Sequence, residues 1–238
     1  TDDFNLTHEC LDRWDDDQTA VRLQFDSGDR ATYSNGKIRK PAAQFAHALQ
    51  DYGIEPGDPV AVMLEPSWEL YATMFGIFYS GAVYVPMFTL FGRDAIEYRL
   101  DDSDADLLIT SEKKATEDVP DDVDCEVLQV SDGFESFFDG YPETYEPSTS
   151  ADDISVIQYT SGTTGTPTGY RMRHKTITQS IVTFLFAYGV RQSDSYFNPS
   201  PPAWAHGLWM GTLAPLSIGT ATGTYSGKFD PETLLSGL

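Results

Sequence analysis

Apolar and polar positions along this 238-residue chain form short alternating runs separated by stretches of helical spacing. Val21, Leu23 and Phe25 alternate with polar residues and run into Asp26-Ser27-Gly28-Asp29, which predicts a hairpin over 21–33. Ile38, Ala42, Phe45, Ala46 and Leu49 recur every three to four residues, which predicts a helix over 37–52 that stops near Gly53. Pro56-Gly57-Asp58 turns into a strand at 60–64, and Ser67 is placed to cap a helix running to about Tyr79, with Gly81 just beyond. Further strands are expected at 82–86, 106–110 and 125–130, and shorter helices at 7–17 (capped by Thr7), 94–100 and 134–138. Beyond residue 150, the apolar run from Ile154 to Tyr159 predicts a buried strand. A helix at 176–188, a strand at 196–198, a helix at 207–216, a strand at 220–225 and a helix start at Pro231-Glu232-Thr233 follow.

Strands alternating with helices imply an α/β fold of mainly parallel sheets flanked by helices. Residues 140–153 carry Pro142, Pro147 and several acids with little apolar periodicity, and read as an exposed linker. It would divide a first α/β layer, 1–150, from the start of a second, 151–238. No uninterrupted apolar run reaches the roughly 18 residues of a membrane span. The chain stops as its last helix begins, so a truncated protein is expected.

Charge narrows the partners. There are 15 basic and 37 acidic residues, a formal net charge of −22, which argues against nucleic acid and anionic membrane as partners. The acids are spread along the chain, as at Asp15-Asp16-Asp17 and Asp101-Asp102-Ser103-Asp104, rather than gathered in a tail. That distribution is expected of a salt-adapted, halophilic protein. Two cysteines, Cys10 and Cys125, match no metal spacing and read as reduced buried thiols, with a cytoplasmic location as the default.

Candidate chemistry concentrates in Tyr159-Thr160-Ser161-Gly162-Thr163-Thr164-Gly165-Thr166-Pro167-Thr168-Gly169. Gly162, Gly165 and Gly169 let backbone approach an anion closely, and the Ser and Thr side chains supply hydroxyl donors. The run follows an apolar strand and is expected to precede a helix, the place where α/β folds bind phosphate. It lacks the Gly-Lys-Ser/Thr of a Walker loop. Composition alone leaves a plain Ser/Thr/Gly surface loop as the alternative.

This segment resembles the signature of the adenylate-forming superfamily, which includes acyl-CoA synthetases and peptide-synthetase adenylation domains. Thr160 to Gly165, Pro167, Gly169 and His174 match that pattern. Ala31-Thr32-Tyr33-Ser34, Pro56 to Ala61, Gly81 to Pro86, Pro202 to Gly207 and Gly227 to Pro231 resemble further family segments in the family's order, the last two most like the acyl-CoA synthetase branch. The resemblance implies the N-terminal part of that fold. It implies an enzyme that joins a small carboxylic acid to ATP with Mg²⁺, giving acyl-adenylate and pyrophosphate, and then passes the acyl group to CoA. Thr160, Ser161, Gly162, Thr163, Thr164, Gly165, Thr168 and Gly169 would hold the ATP phosphates, with Thr163 beside Mg²⁺. Trp204, His206, Gly207 and Leu208 would shape the acyl pocket, with His206 as the catalytic residue near the reacting carboxylate.

Trp204, taken alone, reads as a Trp packed into the core beneath a Pro-rich turn. His174 is either a loop-supporting residue or a helix-start residue, and His8 and His47 read as structural or solvated. Thr168 stands where the family usually has Lys. Its charge is supplied by Arg171, Arg173 or Lys175, or is dispensable, or is lost in a weakened paralogue. The family's adenine, ribose and hinge segments and its mobile C-terminal lid have no candidate here, so the missing C-terminal region of the same enzyme is an expected partner and the isolated chain is expected to be inactive. A non-catalytic binding or assembly module, and a ligase that loads a carrier protein, are the competing functions.

Overall fold

The computed structural model describes residues 3–131, 133–160 and 166–236. The chain opens with a π-helical turn, His8–Asp12, and a hairpin of β1 (Thr19–Phe25) and β2 (Arg30–Ser34). Ser34 then accepts a hydrogen bond from the Lys37 N–H and starts α1 (Asn35–Tyr52), which ends at Gly53 in the left-handed conformation. After β3 (Pro59–Met63), Ser67 caps α2 (Trp68–Ser80) through the Leu70 N–H, and a left-handed Gly81 closes it. These starts and stops agree with the sequence pattern. β4 (Val83–Pro86), α3 (Arg93–Ser103), β5 (Leu107–Ser111), a short α4 (Glu112–Glu117), β6 (Glu126–Val130) and a 3₁₀ turn (Phe134–Phe137) complete the first run. Then come β7 (Ile154–Thr160), β8 (Thr168–Arg173), α5 (Thr176–Thr183), β9 (Tyr196–Phe197), a π-helical segment (His206–Leu213) running into α6 (Ala214–Ser217), β10 (Thr222–Ser226) and α7 (Pro231–Ser236).

The strands form a six-stranded sheet, β6-β5-β3-β4-β7-β8, and a four-stranded sheet, β2-β1-β10-β9. All pairings in the larger sheet are parallel except β7 with β8. Both sheets take strands from before and after residue 150, so the layers do not follow chain order. One core is shared by α1, α2, β1 and one face of the large sheet, through residues such as Val21, Leu23, Phe45, Phe75, Val62, Tyr84 and Val156. α3 covers the other face, where Ile96 and Leu100 meet Met63, Val85, Ile157 and Tyr159. Burial of both faces explains why β3, β4 and β5 read as nearly continuous apolar runs.

Two local expectations are corrected. The first helix ends at Asp12 rather than Asp17, and Thr7 does not cap it: its backbone is already helical, and its hydroxyl donates to the Phe75 carbonyl at 2.6 Å. Residues 140–153 are largely exposed, as expected, but are tied to the core at Thr149. Thr149 is buried, donates to the Phe4 carbonyl at 2.7 Å and accepts from Asn5 Nδ2 at 3.0 Å. Polarity at Thr149 marks a satisfied buried hydroxyl, which composition cannot separate from a solvated one. Among the described residues, no helix is long and apolar enough to cross a membrane, and both cysteines are free thiols.

Candidate functional site

β3, β4 and β7 run parallel and end at Met63, Pro86 and Thr160. The carboxyl ends of parallel strands are where open α/β sheets collect ligands. Ser161, Gly162, Thr163, Thr164 and Gly165 lie outside the described residues, so the structure places only the flanks of the glycine-hydroxyl run. Those flanks correct one expectation. The chain does not pass from this run into a helix; it returns as β8, antiparallel to β7, and α5 begins only at Thr176. Thr168-Gly169-Tyr170-Arg171-Met172-Arg173 offers one aliphatic side chain in six residues, so its period of two was masked by polar and charged groups.

The register assigns each flank residue a face. Thr168 stands opposite Thr160 and Met172 opposite Val156, on the side of the main core. Gly169 stands opposite Tyr159 and Arg171 opposite Ile157, on the α3 side. A Cβ at Gly169 would lie 2.9 Å from Ile157 Cγ2 and 3.2 Å from Tyr159 Cζ, so the Tyr159 ring occupies the room a side chain would need. Thr160 and Thr168 are exposed and form the last pair of the hairpin, two hydroxyls at its mouth.

Among the described residues, the three cations nearest in sequence, Arg171, Arg173 and Lys175, do not stand beside Thr168. Arg173 donates to Asp152 at 2.6 Å and Lys175 pairs with the same carboxylate, far along the strand from the mouth. Arg171 is on the opposite face of β8, about 10 Å away at the usual rise per residue. The described residues of β8 on Thr168's own face are Tyr170 and Met172, neither of them charged.

A second part of the site meets the first through Gln158, whose Nε2 donates to the Ala203 carbonyl at 3.2 Å. This joins the end of β7 to the Pro-rich segment before Trp204. Trp204 is not a core residue: it is 47% exposed, its ring centroid lies 5.4 Å from that of Phe88, and it lines a cleft of about 670 Å³. Phe88, Pro201 and Phe229 supply apolar walls, and Glu65 and Lys228 bring opposite charges to them. Glu65 and Phe88 follow, and Thr160 ends, neighbouring parallel strands, which is why residues so far apart in sequence gather here.

His206 is exposed, and its two ring nitrogens are both engaged. Asn198 Nδ2 donates to Nδ1 at 3.2 Å, which leaves the proton on Nε2, 3.1 Å from the Tyr188 hydroxyl. Gly207 and Leu208 do not face the cleft. Leu208 is fully buried in the main core, and a Cβ at Gly207 would sit 2.1 Å from the Pro201 carbonyl oxygen. Gly207 therefore acts through backbone approach, seating the segment that carries Trp204 and His206. His174 is fully buried, accepts from the Leu6 N–H at 3.2 Å through Nδ1 and packs edge-on against Phe78. Burial pulls its pKa down from 6.5 to about 4, so it is a neutral core imidazole.

Gln158, Phe88, Asn198 and Tyr188 were not singled out by the sequence. Only the position of Gln158 and Phe88 just before and after strand ends would have marked them.

A family model described as AMP-binding enzyme matches residues 8–237. The acetyl-coenzyme A synthetase of Bacillus subtilis is 28% identical over 98% of this chain and 44% of its own length. Surfactin synthase subunit 1 of the same organism is 32% identical over 61% of this chain and 4% of its own length. In structure, an acyl-CoA synthetase from Brucella canis superposes with a TM-score of 0.90 at 28% identity, over 98% of this chain and 45% of that one. The chain thus spans less than half the length of these relatives.

Proposed function

This chain belongs to the AMP-binding enzyme family, and from that premise we propose that it forms the carboxylate-activating part of an ATP-dependent, AMP-forming acyl-CoA synthetase. The observation that carries the reading is the convergence at one set of strand ends of a hydroxyl-lined hairpin mouth and an aromatic cleft, tied together by Gln158 and Ala203. An acid in the Trp204 cleft would be held beside the phosphate chain of ATP at the mouth. Its carboxylate oxygen attacks the α-phosphorus, pyrophosphate leaves, and the thiol of CoA then displaces AMP from the acyl-adenylate.

The hydroxyls of Thr160 and Thr168 suit phosphate oxygens. Two neutral hydroxyls are not a ligand set for a free divalent cation, so Mg²⁺ would arrive bound to ATP, where it neutralises phosphate charge. Ser161, Thr163 and Thr164 would add donors aimed at the departing pyrophosphate. His206 would offer a donor to the reacting carboxylate by exchanging its Nε2 contact with Tyr188 for the substrate. The reading assigns the adenine- and ribose-binding groups to the part of the relatives that this chain does not match, so activity is expected of a full-length enzyme and not of these 238 residues alone.

Coverage favours CoA as the acceptor: the acetyl-coenzyme A synthetase matches 98% of the chain and the surfactin synthase subunit 61%. The 32% identity to the latter supports loading of a carrier protein as the second reading. Supplying CoA or a phosphopantetheinyl carrier to the full-length product in molar KCl separates them. Acyl-CoA formation supports the first, thioester on the carrier alone the second, and neither product with any acid points to a non-catalytic binding or assembly module.

A further inference from the structure

Helix α3 reaches both ends of the glycine-hydroxyl run. On the leading side, the Tyr159 hydroxyl donates to Asp102 Oδ2 at 2.7 Å. On the returning side, the Tyr98 hydroxyl donates to the Pro167 carbonyl at 2.8 Å. Tyr98 and Asp102 lie one helical turn apart and so share a face of α3. Pro167 precedes Thr168, the last residue of the β7–β8 ladder, so the Tyr98 bond holds backbone that the ladder no longer reaches. The rings support the same arrangement: Tyr98 meets Tyr159 edge-on at 6.4 Å, and the Arg99 guanidinium lies 4.0 Å from the centroid of Phe91 and 5.4 Å from that of Tyr159. Burial, and then the Asp102 carboxylate, push the Tyr159 phenol above its ordinary value, so it stays a donor. Gly169 completes the clamp by leaving room for the Tyr159 ring.

We propose that Tyr98 and Asp102 are positioning residues: by holding Pro167 and Tyr159, they fix the separation of the two ends of the phosphate-binding run. This rests on the functional reading above. A purely structural helix would secure β7 by apolar packing, as Ile96 and Leu100 already do. The polar contacts of Tyr98 and Asp102 go instead to the two points where the chain leaves the sheet and returns to it.

The test uses Tyr98→Phe, Asp102→Ala and Asp102→Asn, the last of which keeps an acceptor for the Tyr159 hydroxyl. Amide exchange on the 238-residue chain is followed in peptides covering 166–170 and, as a reference, 59–63. In the full-length product, KM for MgATP and for the acid are measured by carboxylate-dependent pyrophosphate exchange. Tyr98→Phe and Asp102→Ala are expected to speed exchange at 166–170 about fivefold or more with the reference unchanged, the size of one lost hydrogen bond. They are expected to raise KM for MgATP by a similar factor and leave that for the acid within about twofold. Asp102→Asn restores both. Unchanged exchange at 166–170, or equal rises in both KM values, overturns the proposal. If the unmodified full-length product shows no pyrophosphate exchange with any acid, the functional reading fails, and the amide-exchange arm alone decides whether α3 sets the hairpin mouth.

Discussion

Acid should strip stability from this protein through one buried histidine. In the native chain His174 is neutral, with Nδ1 accepting from Leu6 and a pKa near 4 against an ordinary 6.5. Protonation would put a second donor against the Leu6 N–H and a charge in a site with no solvent. Because the folded value is depressed and the proton is bound by the unfolded chain first, this contribution is fully present above pH 6.5 and is lost as pH falls toward 4. At 1.36 kcal/mol per unit, the loss is about 2 kcal/mol by pH 5 and about 3 kcal/mol near pH 4. The 37 acids add their own pH dependence, so the measurement is a difference. Urea unfolding of the native chain and of His174→Gln, which keeps an acceptor for Leu6, is followed from pH 7.5 to 4.5 at fixed high salt. The native chain should lose about 2.5 kcal/mol more than the variant over that range. Parallel pH profiles would refute the assignment of a neutral, buried imidazole.

Other consequences follow from the same geometry. Gly207→Ala forces a Cβ to 2.1 Å from one backbone carbonyl and 2.4 Å from another. It should cost roughly 2 kcal/mol or more, lower the melting temperature by about 4–8 °C and shift Trp204 emission, and a calorimetric change under about 1 °C would contradict it. With a net charge of −22, the unfolding midpoint should rise from low salt to about 1 M KCl as the Debye length falls to about 3 Å, and a flat or falling midpoint counts against salt adaptation. Thr168→Lys puts a cation on a face of β8 that has none, and should tighten MgATP by about tenfold in the full-length product while leaving acid preference unchanged.

The sequence made the fold legible where period and punctuation agree. Ser34, Gly53, Ser67 and Gly81 bracket α1 and α2 as expected, because caps and left-handed glycines act locally. β8 was not legible, since its strand character comes from pairing with β7 and not from its own apolarity. The candidate site divided the same way. Motif residues such as Thr160 and Thr168 were visible as types at a spacing, and the structure shows that they pair across a hairpin rather than lead into a helix. Trp204 was visible, but its exposure depends on Phe88 and Phe229, more than 20 residues distant on either side, which no local pattern reports. Leu208 was drawn toward the pocket by its neighbours in sequence, yet the helical turn carries it into the core.

Carboxylate-dependent ATP–pyrophosphate exchange in the full-length product, at molar KCl and across a panel of small and medium acids, bears most directly on the central reading. Exchange with at least one acid is expected. Replacing Ser161, Thr163 and Thr164 together by Ala should reduce it by about 100-fold or more, the scale of lost transition-state donors. Exchange that persists after this replacement would contradict a phosphate-holding role for the run, and no exchange with any acid would contradict carboxylate activation.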